Sequence, residues 1–168
     1  MKAILIFLFS LFFLHAFART PVLSEIRSMF EKSATSEQQC KELLKLLEPY
    51  DEDHSLFYGY KGCATMMMAE HVFNPFSKYQ YFKKGKTILE KAIAVDDQNV
   101  ELHFLRFCTQ TNIPRFLGYN EHIDSDKALL LGAVSTITDA ELKRNIKHYL
   151  LSSKYLTQTE KQQLVKLE

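Results

Sequence analysis

The stretch YFKKGKTILEKAIAVDDQNVELHFLRF, residues 81–107, decides how this chain folds. At about 100° per residue, Tyr81, Phe82, Gly85, Ile88, Leu89, Ala92, Ile93 and Val95 gather into an arc of about 160°. Lys83, Lys86, Thr87 and Glu90 fill the other side. That pattern predicts an amphipathic helix ending near Asp96-Asp97. A new helix follows at once, for which Asp97 is the expected N-cap because a carboxylate accepts the free amide protons of a first turn. Its apolar residues, Val100, Leu102, Phe104, Leu105, Phe107 and Cys108, spread over a wider arc. His103, Arg106 and Gln110 form one narrow polar ridge. A helix covered on two sides with a single polar stripe suits the inner layer of a stacked helical array.

Helix periodicity extends over nearly all the remaining chain, Gly and Pro are scarce, and β-branched alternation is nearly absent. The expected fold class is therefore all-α, with about eight helices. Thr20-Pro21 reads as a cap followed by Pro at the first helical position of a helix reaching about Ser33. Thr35 or Ser36 caps a second helix carrying Cys40, Leu43, Leu44 and Leu47 on one side, closed by Pro49. Residues 56–73, LFYGYKGCATMMMAEHVF, are apolar nearly all round and predict a buried central helix. Gly59 and Gly62 each lower helix propensity by about 1 kcal/mol relative to Ala, so a close-packed neighbour is expected there. NPFSKYQ reads as a turn, with Phe76 inward and Tyr79 at the surface. Asp124 is expected to cap a helix through Ala128–Leu131. Thr138–Glu141 and Thr157–Glu160 have the form of capping boxes for the last two helices.

The chain opens MKAILIFLFSLFFLHAFA: a basic Lys2, an apolar run from Ala3 to Leu14, and a small-x-small ending at Ala18. This is the form of a secretory signal peptide, residues 1–18, cleaved after Ala18. Residues 19–168 then form one domain in the periplasm or outside the cell. No later segment is long enough to cross a bilayer, so no stable membrane insertion of the mature chain is expected. With 21 basic and 20 acidic residues and no basic run, nucleic acid is not an expected partner. The three cysteines, Cys40, Cys63 and Cys108, match no zinc spacing and sit in helical patterns as small buried hydrophobes.

Within this pattern, Gly85, Leu89, Ala92 and Asp97 stand at the spacings of a small residue, a bulky apolar residue, an Ala and a turn Pro in a tetratricopeptide repeat. GKTILEKAIAVDDQN resembles the second helix of such a repeat and its exit turn, with Asp97 in place of the Pro. FYGYKGCAT resembles a first helix, with Tyr58 and Gly62 in place. HVFNPFSKYQYFKKGK, FLRF and FLGYN also look like a family of uncharacterised exported bacterial proteins. The tetratricopeptide resemblance implies helical hairpins stacked as a short array, and protein or peptide binding on a concave surface without intrinsic catalysis.

Candidate chemistry is sparse. Cys63, Met67 and His71 lie at i, i+4 and i+8 on one helix face and are soft ligands suited to Cu(I), which gives a metal-binding or redox alternative. Met66-Met67-Met68 cannot converge on one ion, because successive residues point about 100° apart. Glu70-His71 is not a zinc-protease motif, and neither a nucleophile elbow nor a Gly-rich phosphate loop is present. No cofactor and no enzymatic activity are expected. The expected role is a non-catalytic protein- or peptide-interaction module. His103, Arg106 and Gln110 are its expected contact ridge, helped by Arg115 and Tyr119 of the loop NIPRFLGYN, since Arg and aromatic residues are enriched at interface hot spots.

Overall fold

The computed structural model describes residues 22–166, and these contain eight α-helices, two short 3-10 turns and no strand. The helices are α1 (Leu23–Ser33), α2 (Glu37–Leu46), α3 (Ser55–His71), α4 (Pro75–Val95), α5 (Val100–Asn112), α6 (Ile123–Ala133), α7 (Ala140–Ser152) and α8 (Gln158–Lys166). The all-α expectation holds. The leader and the Thr20-Pro21 cap lie outside the described residues.

Local chemistry sets most helix starts. Ser36 caps α2 by accepting from Gln39 N, and Asp139 caps α7 by accepting from Glu141 N and Leu142 N. The capping box at α8 closes reciprocally: Thr157 N donates to Glu160, and Glu160 N to the Thr157 hydroxyl. Four boundaries differ from the sequence reading. Asp139, rather than Thr138 of the expected capping box, caps α7. Asn99, rather than Asp97, caps α5, accepting from Glu101 N and Leu102 N. Helix α6 starts at Ile123, so Asp124 lies in its first turn and not at its cap. NPFSKYQ is no turn: Asn74 caps α4, Pro75 occupies its first position, and the segment is its first two turns. Pro is suited to that position because its missing N–H is one the helix would leave unpaired anyway.

Helix pairs α1–α2, α3–α4, α5–α6 and α7–α8 each pack together, and α1–α3, α3–α5 and α5–α7 are also in contact. Side-chain pairs give the sense of the inner set. Tyr60 and Cys63 of α3 meet Glu101 and Thr109 of α5 in that order, and Tyr149 late in α7 meets Thr111 at the end of α5. His71 at the end of α3 bonds the Ser33 carbonyl at the end of α1. The odd-numbered helices therefore run in one direction.

The most extensive contact joins α3 to α4, and glycines make it. A Cβ on Gly62 would lie 2.7 Å from the Leu89 amide nitrogen, and one on Gly85 would lie 2.6 Å from the Met66 amide nitrogen. Here two helix backbones touch with no side chain between them. The arc predicted for α4 is the buried face, with Phe82, Gly85, Ile88, Leu89, Ala92 and Ile93 inside, though Val95 is exposed. Phe76, expected to turn inward, is exposed, as Tyr79 is. Two apolar clusters result. One is built on α1 to α5, centred on Leu43, Tyr60, Leu89 and Leu102. The other is built on α5 to α8, centred on Phe107, Leu130, Ile146 and Leu164.

Gly85→Ala should destabilise the chain by about 1–3 kcal/mol, because backbone atoms cannot yield as a flexible side chain can. Gly132→Ala in α6, where an added Cβ meets nothing within 4 Å, should be neutral or stabilising by up to about 1 kcal/mol. Urea unfolding of the two variants checks the contrast in sign.

Candidate functional site

The odd-numbered helices and the residues that end them line a groove of about 570 Å³, within the range of ligand-holding clefts. From α1 come Arg27, Phe30 and Glu31; from α3 Tyr60, Cys63, Met66, Met67 and Glu70. Helix α5 gives Phe104, Leu105, Cys108, Thr109 and Asn112, and α7 gives Asn145, His148 and Tyr149. Phe30 stands edge-on to Tyr60 at 5.3 Å between ring centroids, and Phe104 edge-on to Tyr149 at 5.8 Å. The base is apolar and aromatic. Glu31, Glu70, Asn112 and His148 are exposed at its margin.

A buried ionic network holds the walls. Arg27 Nε and Nη2 donate to both oxygens of Glu101 at 2.7 Å each, and its Nη1 donates to Glu141 at 2.8 Å. Asp139, which also caps α7, pairs with Arg27 at 2.9 Å. The Tyr60 hydroxyl donates to Glu101 at 2.5 Å. One guanidinium therefore joins α1 to α5 and α7, and through Glu101 to α3. Arg27 and Glu101 are 5% and 3% exposed, so each depends on the other for its charge to be tolerated. Neither was singled out from sequence. The available signal was position: Arg27 follows Ile26 on the face carrying Leu23 and Phe30, and Glu101 adjoins Leu102, so each is a charge on an apolar face.

The expected contact ridge is not open. His103, Arg106 and Gln110 are all buried, and this corrects the reading of them as a surface that meets a partner. Arg106 Nε and Nη2 donate to the two oxygens of Asp126 at 2.8 Å each, and Nη1 donates to Glu90 at 3.0 Å. Gln110 Oε1 accepts from His122 N at 3.1 Å, while its Nε2 is buried with no partner among the described residues. His103 Nδ1 faces Asp126 Oδ1 at 2.8 Å, and its Nε2 faces the Asp97 carbonyl at 2.9 Å. Two acceptors on one ring favour the imidazolium. The bond to Asp126 raises the His103 pKa, against the opposing effect of burial. Burial works against the Asp126 charge too, but Arg106 and His103 outweigh it and hold its carboxyl below the usual range. The ridge faces α4 and α6, whose carboxylates neutralise it. Tyr119 is likewise buried: its hydroxyl donates to Glu90, and its ring lies edge-on to Phe82. Arg115 alone of the five expected contact residues is exposed.

The soft-ligand set is divided. Cys63 and Met67 line the groove, whereas His71 Nε2 bonds the Ser33 carbonyl at 2.8 Å and does not line it. Burial pushes the Cys63 thiol up to about 12 and Cys40 to about 11, and raises Cys108 well above its ordinary value. All three cysteines are unpaired. Protonated thiols are weak nucleophiles and weak metal ligands.

Arg27→Met should cost about 3–5 kcal/mol, because it leaves Glu101 charged and buried without its guanidinium. Adding Glu101→Gln to that variant should recover part of the loss; equal losses in urea unfolding would refute the pairing. For His103, a raised pKa means stability fully present below pH 6.5 and lost as pH rises through the folded-state midpoint. The stability difference between the wild-type chain and His103→Gln should shrink accordingly towards alkaline pH. An imidazole titration by NMR should place the His103 midpoint above 6.5.

Compared with known proteins, the chain matches no family model, no curated protein and no solved structure, so the reading of the groove rests on its own geometry.

Proposed function

We propose that this chain is an exported, non-catalytic interaction module that takes a segment of a protein or peptide partner into the groove between α1, α3, α5 and α7. The observation that carries the reading is the groove's construction: four helices running one way present an aromatic and apolar base with polar side chains at the margin. Such a surface suits apolar anchor side chains from a partner, with the margin amides and carboxylates fixing register. The Arg27–Glu101 network supports it, because walls already held by buried ion pairs need little ordering when a partner arrives. The raised thiol pKa values support recognition over nucleophilic chemistry at Cys63 and Cys108. The tetratricopeptide resemblance implies the same use of a concave face, as analogy. Export rests on the leader-like first 18 residues.

In this reading the contact surface moves from the His103–Arg106–Gln110 ridge to the groove. Met67→Arg and Asn145→Trp would each fill the groove from a half-buried position. Each should reduce crosslinked capture of a partner from native envelope by at least roughly tenfold, about 1.4 kcal/mol, with a melting temperature within a few degrees of wild type. Arg106→Ala should instead lower the melting temperature, because it leaves Asp126 unpaired in the core. Capture that survives both groove substitutions would overturn the assignment.

A further inference from the structure

Opposite in character to the groove is the outer face of the α3–α4 and α5–α6 connections. Phe73 is 99% exposed, Phe116 86% and Phe76 70%, and Tyr79 is more than half exposed. These rings are left in water although the chain has two apolar clusters that could have taken them. Phe73, Phe76 and Tyr79 follow one another at spacings of three along the α3–α4 connection and the first turns of α4, and the α5–α6 connection brings Phe116 towards the same helix. The ends of α3 and α5 are at the same end of the molecule, since those helices run in parallel. The loop carrying Phe116 is laid along α4, where Tyr119 meets Phe82 at 6.2 Å between centroids and Lys86 sits 4.4 Å over the Tyr119 ring. Phe76, Tyr79 and Lys83 fall at i, i+3 and i+7, on one face of α4.

The stretches that carry these rings are basic, between Glu70 and Glu90 on one side and Glu101 and Glu121 on the other. Residues 71–89 contain Lys78, Lys83, Lys84 and Lys86 and no Asp or Glu; residues 102–120 contain Arg106 and Arg115 and again no Asp or Glu. This asymmetry stands out in a chain whose total charge is nearly balanced. Lys86 is turned to Glu121 at 3.6 Å, and Arg106 is buried on Asp126. Lys78, Lys83, Lys84 and Arg115 are exposed, and among the described residues none of them forms an ion pair.

We propose that this face docks on the surface of a bilayer containing anionic phospholipid. Phe73, Phe76 and Phe116 enter the headgroup–acyl boundary, Tyr79 sits at headgroup level, and Lys83, with Lys84 and Arg115 at the flanks, meets the phosphates. Exposed aromatic side chains flanked by cations are what interfacial binding requires: the rings gain by leaving water, and the cations gain from the negative surface potential. The protein lies on the surface and does not span it; no described helix is long and apolar enough to cross a membrane. None of Phe73, Phe76, Tyr79 and Phe116 lines the groove, so this inference does not depend on what the groove holds.

The chain contains no Trp, so Phe116→Trp places a unique reporter on this face. Titration of that variant, as the whole chain, with vesicles of phosphatidylglycerol and phosphatidylcholine should shift its emission to the blue, and brominated lipid should quench it. Val165→Trp on α8, also exposed, should show neither effect. Lys83→Gln and Lys84→Gln in the reporter chain should each raise the lipid needed for half-maximal shift by about fivefold. Pure phosphatidylcholine, or high salt, should weaken binding similarly. No shift at Phe116→Trp with anionic vesicles would overturn the proposal. So would equal shifts at both reporters, or a shift indifferent to lipid charge and to the lysines.

Discussion

The direct backbone contact between α3 and α4 at Gly62 and Gly85 is the constraint on which the remaining structure depends. Two helices that meet without intervening side chains approach more closely than Leu- or Met-bearing helices could, and a Cβ added at either glycine would meet backbone atoms of the other helix at under 3 Å. Everything else is built outward from that pair. Helix α3 packs on α1, α2 and α5 as well as α4, which is why it is apolar nearly all round. Helix α4 meets α3 and α5 on one side and keeps lysines on the other.

On that frame, buried charge does what apolar packing does not: it specifies which helix lies beside which. A leucine stripe accepts many partners, but Arg27 is satisfied only where Glu101, Glu141 and Asp139 converge. Arg106 and His103 likewise need Asp126, with Glu90 beyond it. Each network costs desolvation, so its net contribution to stability is small compared with the loss when one member is removed. The first network stands at the groove and sets the separation of its walls. The second stands behind α5 and turns the polar ridge of that helix away from solvent.

Helix α5 is divided lengthwise between the groove and the core. One stripe, Phe104, Leu105, Cys108, Thr109 and Asn112, faces the groove. Another, His103, Arg106 and Gln110, is committed to α6 and the loop before it. Residues that look most reactive in the sequence are therefore structural, and residues that look like ordinary core line the cleft. The exposed phenylalanines at the ends of α3 and α5 belong to neither set: they are buried in neither cluster and do not line the groove.

The sequence by itself determined the helices, the buried face of α4, the central position of α3 and the need for a close neighbour at its glycines. Those features follow from periodicity and from capping residues such as Ser36 and the Thr157–Glu160 box, which act over a turn or two of chain. Nearby rivals blurred a few boundaries: Asn99 took the cap expected of Asp97, and Asn74-Pro75 started a helix where a turn was expected. Only the tertiary structure decided the site. Whether Arg106 faces water or Asp126, and whether Arg27 meets Glu101 across the fold, depends on charges 20 and 74 positions apart in the chain, and no helical period reports on such distances. A groove is likewise made by four helices together, so no one stretch of residues carries its pattern.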